Sequence, residues 1–424
     1  MCGVFSGWGV GTLAGMPSSL WNRSFTVWLI GTAQSQFGSA VAGLALSFLV
    51  LHQTGSAGQM AVTLACSLLP NLLMPLAGAL VDRWNLRGPV IASDLIRGAL
   101  QLGVGAAALR WGEVPLALIN GVAVLTGLVG LFAAPASSAA VPLLVPAGAL
   151  ARANAVLSSV SRGAWLLGSL TGGWIVTRWS PPLAILLDGV SFLLMAALMG
   201  LVTLPDRAAP GAAERPAGLL SEVSAGLRVM GRSRTLTLAP VIALLLNAGL
   251  APVTAALPKL FAGGGGTAAG YGTFLVLESV GVMAAGALVA LLATRLDSRR
   301  LITVGLAVTA GAYGLMWALP QPAALLPAAG ALGFGFGLIN TPFQTLMQEL
   351  VPQAFLGRVF SVLGMVSTVG MPLSLLLVAP LLDRAPLPVW FGVAGVAQGL
   401  GCALWLWAAC AERPARGVHL DLRP

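Results

Sequence analysis

The chain has 424 residues, of which 57% are hydrophobic and only 8% charged, against roughly 25% charged in a water-soluble domain. So few charges cannot cover a soluble surface of this size, and most of the exterior must face lipid. A net charge of +9 would suit nucleic acid if it were clustered, but the basic residues stand at the ends of apolar runs, where they anchor helices. Cys2, Cys66, Cys402 and Cys410 show no CxxC spacing, and with only His52 and His419 beside them a His/Cys metal site is not expected. No cofactor is implied.

Residues 1–24 are Gly-rich and lack the basic start and compact apolar core of a signal peptide. They read as a cytoplasmic segment, and a start at Met16 fits as well as one at Met1. A spanning helix needs about 20 predominantly apolar residues. Six such runs follow, at 25–51, 58–81, 89–110, 114–136, 153–177 and 182–204, and make an N-terminal bundle over 25–204. The polar stretch 205–234 is a cytoplasmic linker that carries Asp206, Arg207, Glu214, Arg215, Glu222, Arg228, Arg232 and Arg234. Six more runs, at 235–260, 270–293, 300–319, 323–347, 358–381 and 388–410, make a C-terminal bundle over 235–410, and 411–424 is a cytoplasmic tail. The expected fold is an all-α membrane protein with twelve transmembrane helices in two six-helix bundles.

Arginines give the orientation. With the N-terminus inside, the inner loops hold Arg23, Arg83, Arg87, Arg152, Arg207 to Arg234, Arg295, Arg299, Arg300 and Arg358, and the tail holds Arg413, Arg416 and Arg423. The outer loops hold only Arg110, Arg178, Lys259 and Arg384. This is the positive-inside pattern, with both termini cytoplasmic. The glycines of 163–173 and 333–337 allow helices to approach closely, and the latter cannot be a nucleotide loop because no strand precedes it.

Charges within the runs are few. The turn after the second run reads Gly78, Asp82, Arg83, Arg87, with Asn85 between them. Asp94 and Arg97 lie two turns or less into the third run, and read as part of a cytoplasmic-side network with Asp82 and Arg83. Asp188 lies nearer the outer end of the sixth and is grouped with Arg162 and Glu278 as an interface charge for proton coupling. Arg162 is about 13 Å along the fifth run from the inside and Glu278 about 12 Å along the eighth from the outside. A charge at such depth is expensive unless paired or wetted, which marks it as functional by default.

The turn resembles the cytoplasmic loop of the major facilitator superfamily, matching at Gly78, Asp82, Arg83 and Arg87 and departing at Asn85. The resemblance implies that Asp82 faces the start of the eleventh helix near Gly357 and Arg358 and gates access; the alternative is a capped and anchored loop. Val141–Pro146 with Ala153–Ala155, Asp94–Arg97, Asp188–Phe192 and Gly357–Phe360 are similar to stretches of the macrolide-efflux and enterobactin-exporter-like group. Gly168, Gly172 and Gly173 resemble an antiporter-associated motif, with Ser169 where proline is usual; Ser39 follows Gly38 where an acid or amide is common.

In that fold the fifth and eighth helices face each other. This suggests an Arg162–Glu278 interaction that strengthens in one access state and weakens when Glu278 takes a proton; the alternative is a static pair. Gln34, Gln36, Asn120, Asn247, Asn340, Phe343 and Gln344 lie at a depth suited to a central substrate cavity, or serve as interhelical hydrogen bonds. No Walker-type GxxxxGK[ST] occurs, so an ion gradient must supply the energy.

The expectation is a monomeric, proton-coupled exporter of a small amphipathic organic compound in a bacterial cytoplasmic membrane, with no nucleic-acid partner and no enzymatic chemistry. A same-fold importer or uniporter, a lipid transporter, and a sensor or scaffold are the rivals.

Overall fold

The computed structural model describes residues 19–74, 87–132, 140–202, 224, 227–231, 233–263, 267–292, 297–352 and 355–411. Its helices begin where donors are satisfied locally. The Asn22 side chain accepts from Phe25 N at 2.9 Å, Ser56 from Gln59 N at 3.1 Å and Ser233 from Leu236 N at 3.3 Å, each filling one of the open N–H positions of a helix start. Gly55, at φ 64°, ends the first helix by donating to Leu51 O at 2.7 Å, a left-handed turn that glycine adopts without strain.

Among the described residues twelve helices of 12 residues or more result. In the first half they are α1 (Arg23–Thr54), α2 (Ala57–Leu68, continued by a 3-10 turn Leu69–Leu73), α3 (Arg87–Trp111), α4 (Leu116–Gly130), α5 (Leu150–Arg178) and α6 (Pro181–Leu201). The second half holds α7 (Arg234–Ala262), α8 (Ala268–Leu292), α9 (Ser298–Ala318), α10 (Pro322–Leu350), α11 (Leu356–Leu382) and α12 (Leu387–Ala411). Among the described residues nine of them are long and apolar enough to cross a bilayer. The runs of α2 and α4 lead into 75–86 and 133–139, outside the described residues, and α5 is less apolar because it carries Arg152, Arg162 and Arg178. Prolines inside α7, α10 and α11 are tolerated because neighbouring helices and side chains meet the freed carbonyls. Much of the linker, the first residues and most of the tail also lie outside the described residues.

Within the first half α1 packs on α5 and α6, α3 on α6, and α2 on α4; within the second, α10 packs on α8 and α9, and α7 and α9 on α12. Between halves the main antiparallel pairs are α5 with α8 and α2 with α11, and α2 also touches α7 over a smaller area. The hydrophobic core is distributed unevenly along these pairs. At the end bearing Thr54, Arg178, Ala262 and Leu382 one continuous cluster joins the halves, with Phe48, Phe261, Tyr271, Leu375 and Phe391 among its buried members. At the opposite end, where Arg23, Arg87, Arg152, Arg234 and Arg299 start or open helices, it divides. Phe25, Trp28, Val141 and Met199 form one cluster in the first half, and Ile302, Met347, Val359 and Trp405 another in the second. Among the described residues the core is continuous between the halves at one end and divided at the other.

Candidate substrate and coupling site

α3 presents Asp94, Arg97 and Gln101 at i, i+3 and i+7, one face of a helix. Arg97 pairs with Asp94 at 3.8 Å and lies over the Phe192 ring with 3.9 Å to its centroid, a cation–π contact. Asp188 on α6 is buried and completes the group. Its Oδ1 accepts from Ser191 Oγ at 3.3 Å and Ser39 Oγ at 3.4 Å, and its Oδ2 from Gln101 Nε2 at 3.2 Å. α1 can bring Ser39 to this carboxylate because Gly38 precedes it: a Cβ there would run into Ser191 Oγ. A buried carboxylate with several donors is a satisfied one, and the positive charge of Arg97 lies within its field.

Arg97, Gln101, Asp188, Ser39 and Phe192 of this group line one or both of two adjoining cavities inside the first half, of about 320 Å³ and 190 Å³. Arg97, Gln101, Ser67, Thr126 and Leu46 border both; Asn71 belongs to the larger, and Ser39, Thr63 and Asp188 to the smaller. Among the described residues Arg97 Nε and Thr126 Oγ1 have no hydrogen-bond partner. Buried polar atoms without partners are rare, and here two of them border the same space. The chamber can therefore hold a polar group or water beside a guanidinium while apolar walls take the rest of a molecule.

Two expectations change. Arg97 does not stay in a network at the arginine end, because it extends over Phe192 toward Asp188 and lines the cavities. Asp188 is enclosed by α1, α3 and α6 of one half, so it is not a charge at the seam between halves. Gly78, Asp82 and Arg83 lie outside the described residues. Arg87 opens α3 and donates to Gly200 O at 2.5 Å. Gly357 is in the first turn of α11, and Arg358 stands over the Phe355 ring, 5.4 Å from its centroid.

None of the seven residues chosen by depth borders either cavity. Gln34 donates to Ser191 O at 2.8 Å, Asn120 accepts from Thr63 Oγ1 at 2.7 Å, and Asn247 donates to Ala243 O of its own helix at 2.8 Å. Phe343 packs against the buried cluster of the second half, while Gln36, Asn340 and Gln344 are exposed. Gln101, Thr126, Ser67 and Asn71 were missed. The first was legible as the next step of the Asp94–Arg97 stripe; the others depend on helices that meet only in three dimensions.

At the seam the glycines of α5 divide their work. A Cβ on Gly168 or Gly172 would strike α1 at Phe37 and Val41, and one on Gly173 would strike Ala268 O on α8. Ala269 N donates to Thr177 Oγ1 at 3.0 Å beside it. Farther along, Arg162 is exposed and Glu278 half-buried, and among the described residues no hydrogen bond or ion pair joins them. The carbonyl of Glu278 lies where a Cβ on Gly333 would go, so the glycines of 333–337 serve close packing of α10.

The other cross-seam pair ends in a charge. Asp383, just past α11, accepts from Ala57 N at 2.9 Å, from Gly58 N at 3.1 Å and from the Ser56 hydroxyl, all at the start of α2. Lys259 at the end of α7 donates to it at 2.6 Å. Partial burial works to raise the pKa of this carboxyl, but the bonds from Lys259, Ser56, Ala57 and Gly58 outweigh it and hold the value at about 2.

Comparison with known proteins agrees with this architecture. Over 384 residues the chain is 29% identical to the multidrug efflux pump Tap of Mycobacterium tuberculosis, covering 86% of this chain and 88% of the pump. It is 23% identical over 377 residues to macrolide efflux protein A of Streptococcus pyogenes, covering 88% and 92%. Its fold resembles the inward-facing, unoccupied crystal structure of a bacterial homologue of the human lysosomal transporter Spinster, with TM-score 0.69, 12% identity, and 91% and 96% of the two chains covered. The family model of the Major Facilitator Superfamily matches residues 28–375. That span starts in α1 and stops within α11, so all but the last helix is included, and the chain belongs to the Major Facilitator Superfamily of membrane transporters and is not an enzyme.

Proposed function

We propose that this transporter exports a small amphipathic organic compound from a bacterial cytoplasm in exchange for protons, by alternating access. The observation that carries the reading is the uneven core among the described residues: one cluster spans the halves at the Asp383 end, and at the arginine end the clusters each stay within one half. With the arginines inside, as the positive-inside pattern directs, this state is closed outward and open to the cytoplasm. Rocking residues 25–204 against 235–410 would exchange the ends, with 205–234 as the tether. The names of the two efflux relatives support the outward direction. The substrate's polar group is read to sit beside Arg97, Gln101 and Asp188, and its apolar body against the chamber walls of Leu46, Val104 and Ile119.

Protons would act through Glu278, which pairs with Arg162 as the cytoplasmic side closes, and through Asp188 once its donors rearrange. The turn of Gly78, Asp82, Arg83 and Arg87 would close the cytoplasmic side against Gly357 and Arg358. The chain is read as a monomer with both termini inside.

The test is accumulation of amphiphilic dyes and antibiotics in a host stripped of its main efflux pumps, with and without a protonophore. Lower accumulation that the protonophore abolishes supports energised export. Glu278→Gln should then lose most of its dependence on the pH gradient; unchanged dependence sinks the role given to Glu278. Higher accumulation with the transporter than without it would mean import.

A further inference from the structure

A helix start is ordinarily capped by its own neighbours, and α2 already has such a cap in Ser56, which accepts from Gln59 N. Asp383 is a second acceptor at the same place, brought from the far half of the chain. It meets the open N–H groups of the first turn of α2, where the helix dipole is positive. The approach is close enough that a Cβ on Gly58 would strike Ala379 O, so the two backbones touch just below the carboxylate. When the halves separate at this end, the bonds to Ser56, Ala57 and Gly58 must all break. The bond to Lys259 does not, because α7 and α11 belong to the same half and pack on each other.

We infer that Asp383 is the latch of the outer gate: its carboxylate binds the start of α2 in the cytoplasm-open state and releases it whenever the outer side opens, with Lys259 holding it in place between cycles. The inference rests on the orientation proposed above. It goes beyond the transport reading because it names the group that sets how the two access states are populated, whatever the substrate. Lys259 has a distinct part. In the open state it is the remaining partner of Asp383, so the carboxylate stays ionised and aimed at the returning helix.

The test reads gate position rather than transport. Ala268 is buried at the other cross-seam pair, with its carbonyl against Gly173, so fraying around Asp383 alone would not expose it. In the full chain, with Cys2, Cys66, Cys402 and Cys410 replaced by serine, Ala268→Cys is labelled by a membrane-impermeant maleimide in right-side-out and inverted vesicles. Asp383→Asn should raise labelling in right-side-out vesicles about ten-fold, the order expected when charge-assisted hydrogen bonds are lost from one state only. Lys259→Gln should raise it about two-fold to three-fold.

Ser56→Ala removes one bond without touching the charge and should move labelling the same way, by about two-fold. That variant keeps the test alive if Asp383→Asn does not accumulate in the membrane. Labelling that matches the parent in both Asp383→Asn and Ser56→Ala overturns the latch. A rise confined to inverted vesicles would sustain the latch and overturn the orientation.

Discussion

The two ends of this transporter are built from the same helices and held by different chemistry. At the Asp383 end the halves share a core of aromatic and aliphatic side chains, glycines bring α2 onto α11 and α5 onto α8, and one carboxylate ties the rim. At the arginine end each half keeps its own core, and cations are spread around the mouth. A close-packed seam resists partial separation, because packed surfaces are bistable rather than continuously deformable. An end lined by separated cores and like charges has no such preference. The difference teaches where the switching energy lies: opening the sealed end must replace apolar contact and charge-assisted bonds together.

The strongest way to break the contrast is to make the sealed end unable to seal. Gly58→Val puts side-chain atoms against the Ala379 carbonyl. Overpacking costs about 1–3 kcal/mol, a shift of roughly 5- to 150-fold in an equilibrium. Transport should fall by about that factor, and labelling of Ala268→Cys from outside should rise, while the protein still inserts.

Next in size is Asp188→Ala, aimed at the chamber rather than at either end. It strands Ser39, Ser191, Gln101 and a buried share of Arg97, which should lower unfolding stability by about 2–4 kcal/mol in detergent. At one fixed pH it should leave outward labelling of Ala268→Cys near that of the parent, which loss of a seam contact would not do.

The smallest effect sharpens the comparison by its absence. Asp383 has its pKa depressed to about 2, below the usual carboxylate value. Its contribution to the closed end is therefore complete above the ordinary carboxylate pKa and is lost only as pH falls through the depressed one. The ratio of Ala268→Cys labelling between Asp383→Asn and the parent, in which the thiol's own pH dependence cancels, should stay flat from about pH 8 to about pH 5. A slope in that ratio would mean that the Asp383 latch itself takes a proton within this range.

Most of the fold was legible because lipid makes a simple demand: each crossing must be helical and apolar along its length. The run read at 235–260 became Arg234–Ala262, and that at 388–410 became Leu387–Ala411. The site was legible only in part. Depth along a helix can be counted, but azimuth cannot when the whole circumference is apolar, and so Gln36 and Asn340 were chosen at the right height on exposed faces. Arg97 and Asp188 stood out as charges within apolar runs, yet their meeting depends on α3 and α6 packing together. Asp383 carried no local signal. It looks like one acidic residue in a short outer loop, and its importance comes from α2, more than 300 residues earlier.

The pairing at the rim also has a practical consequence. Lys259 is the chain's single lysine among 22 basic residues, so the transporter offers one side-chain amine to acylating reagents, and that amine is held by Asp383. An amine-directed probe would thus report from this corner alone, apart from the amino terminus, with no engineered residue required. Because Lys259 stays on Asp383 in both access states, its reactivity should be steady through the cycle, and acylation, which removes the charge, would act as a chemical counterpart of Lys259→Gln.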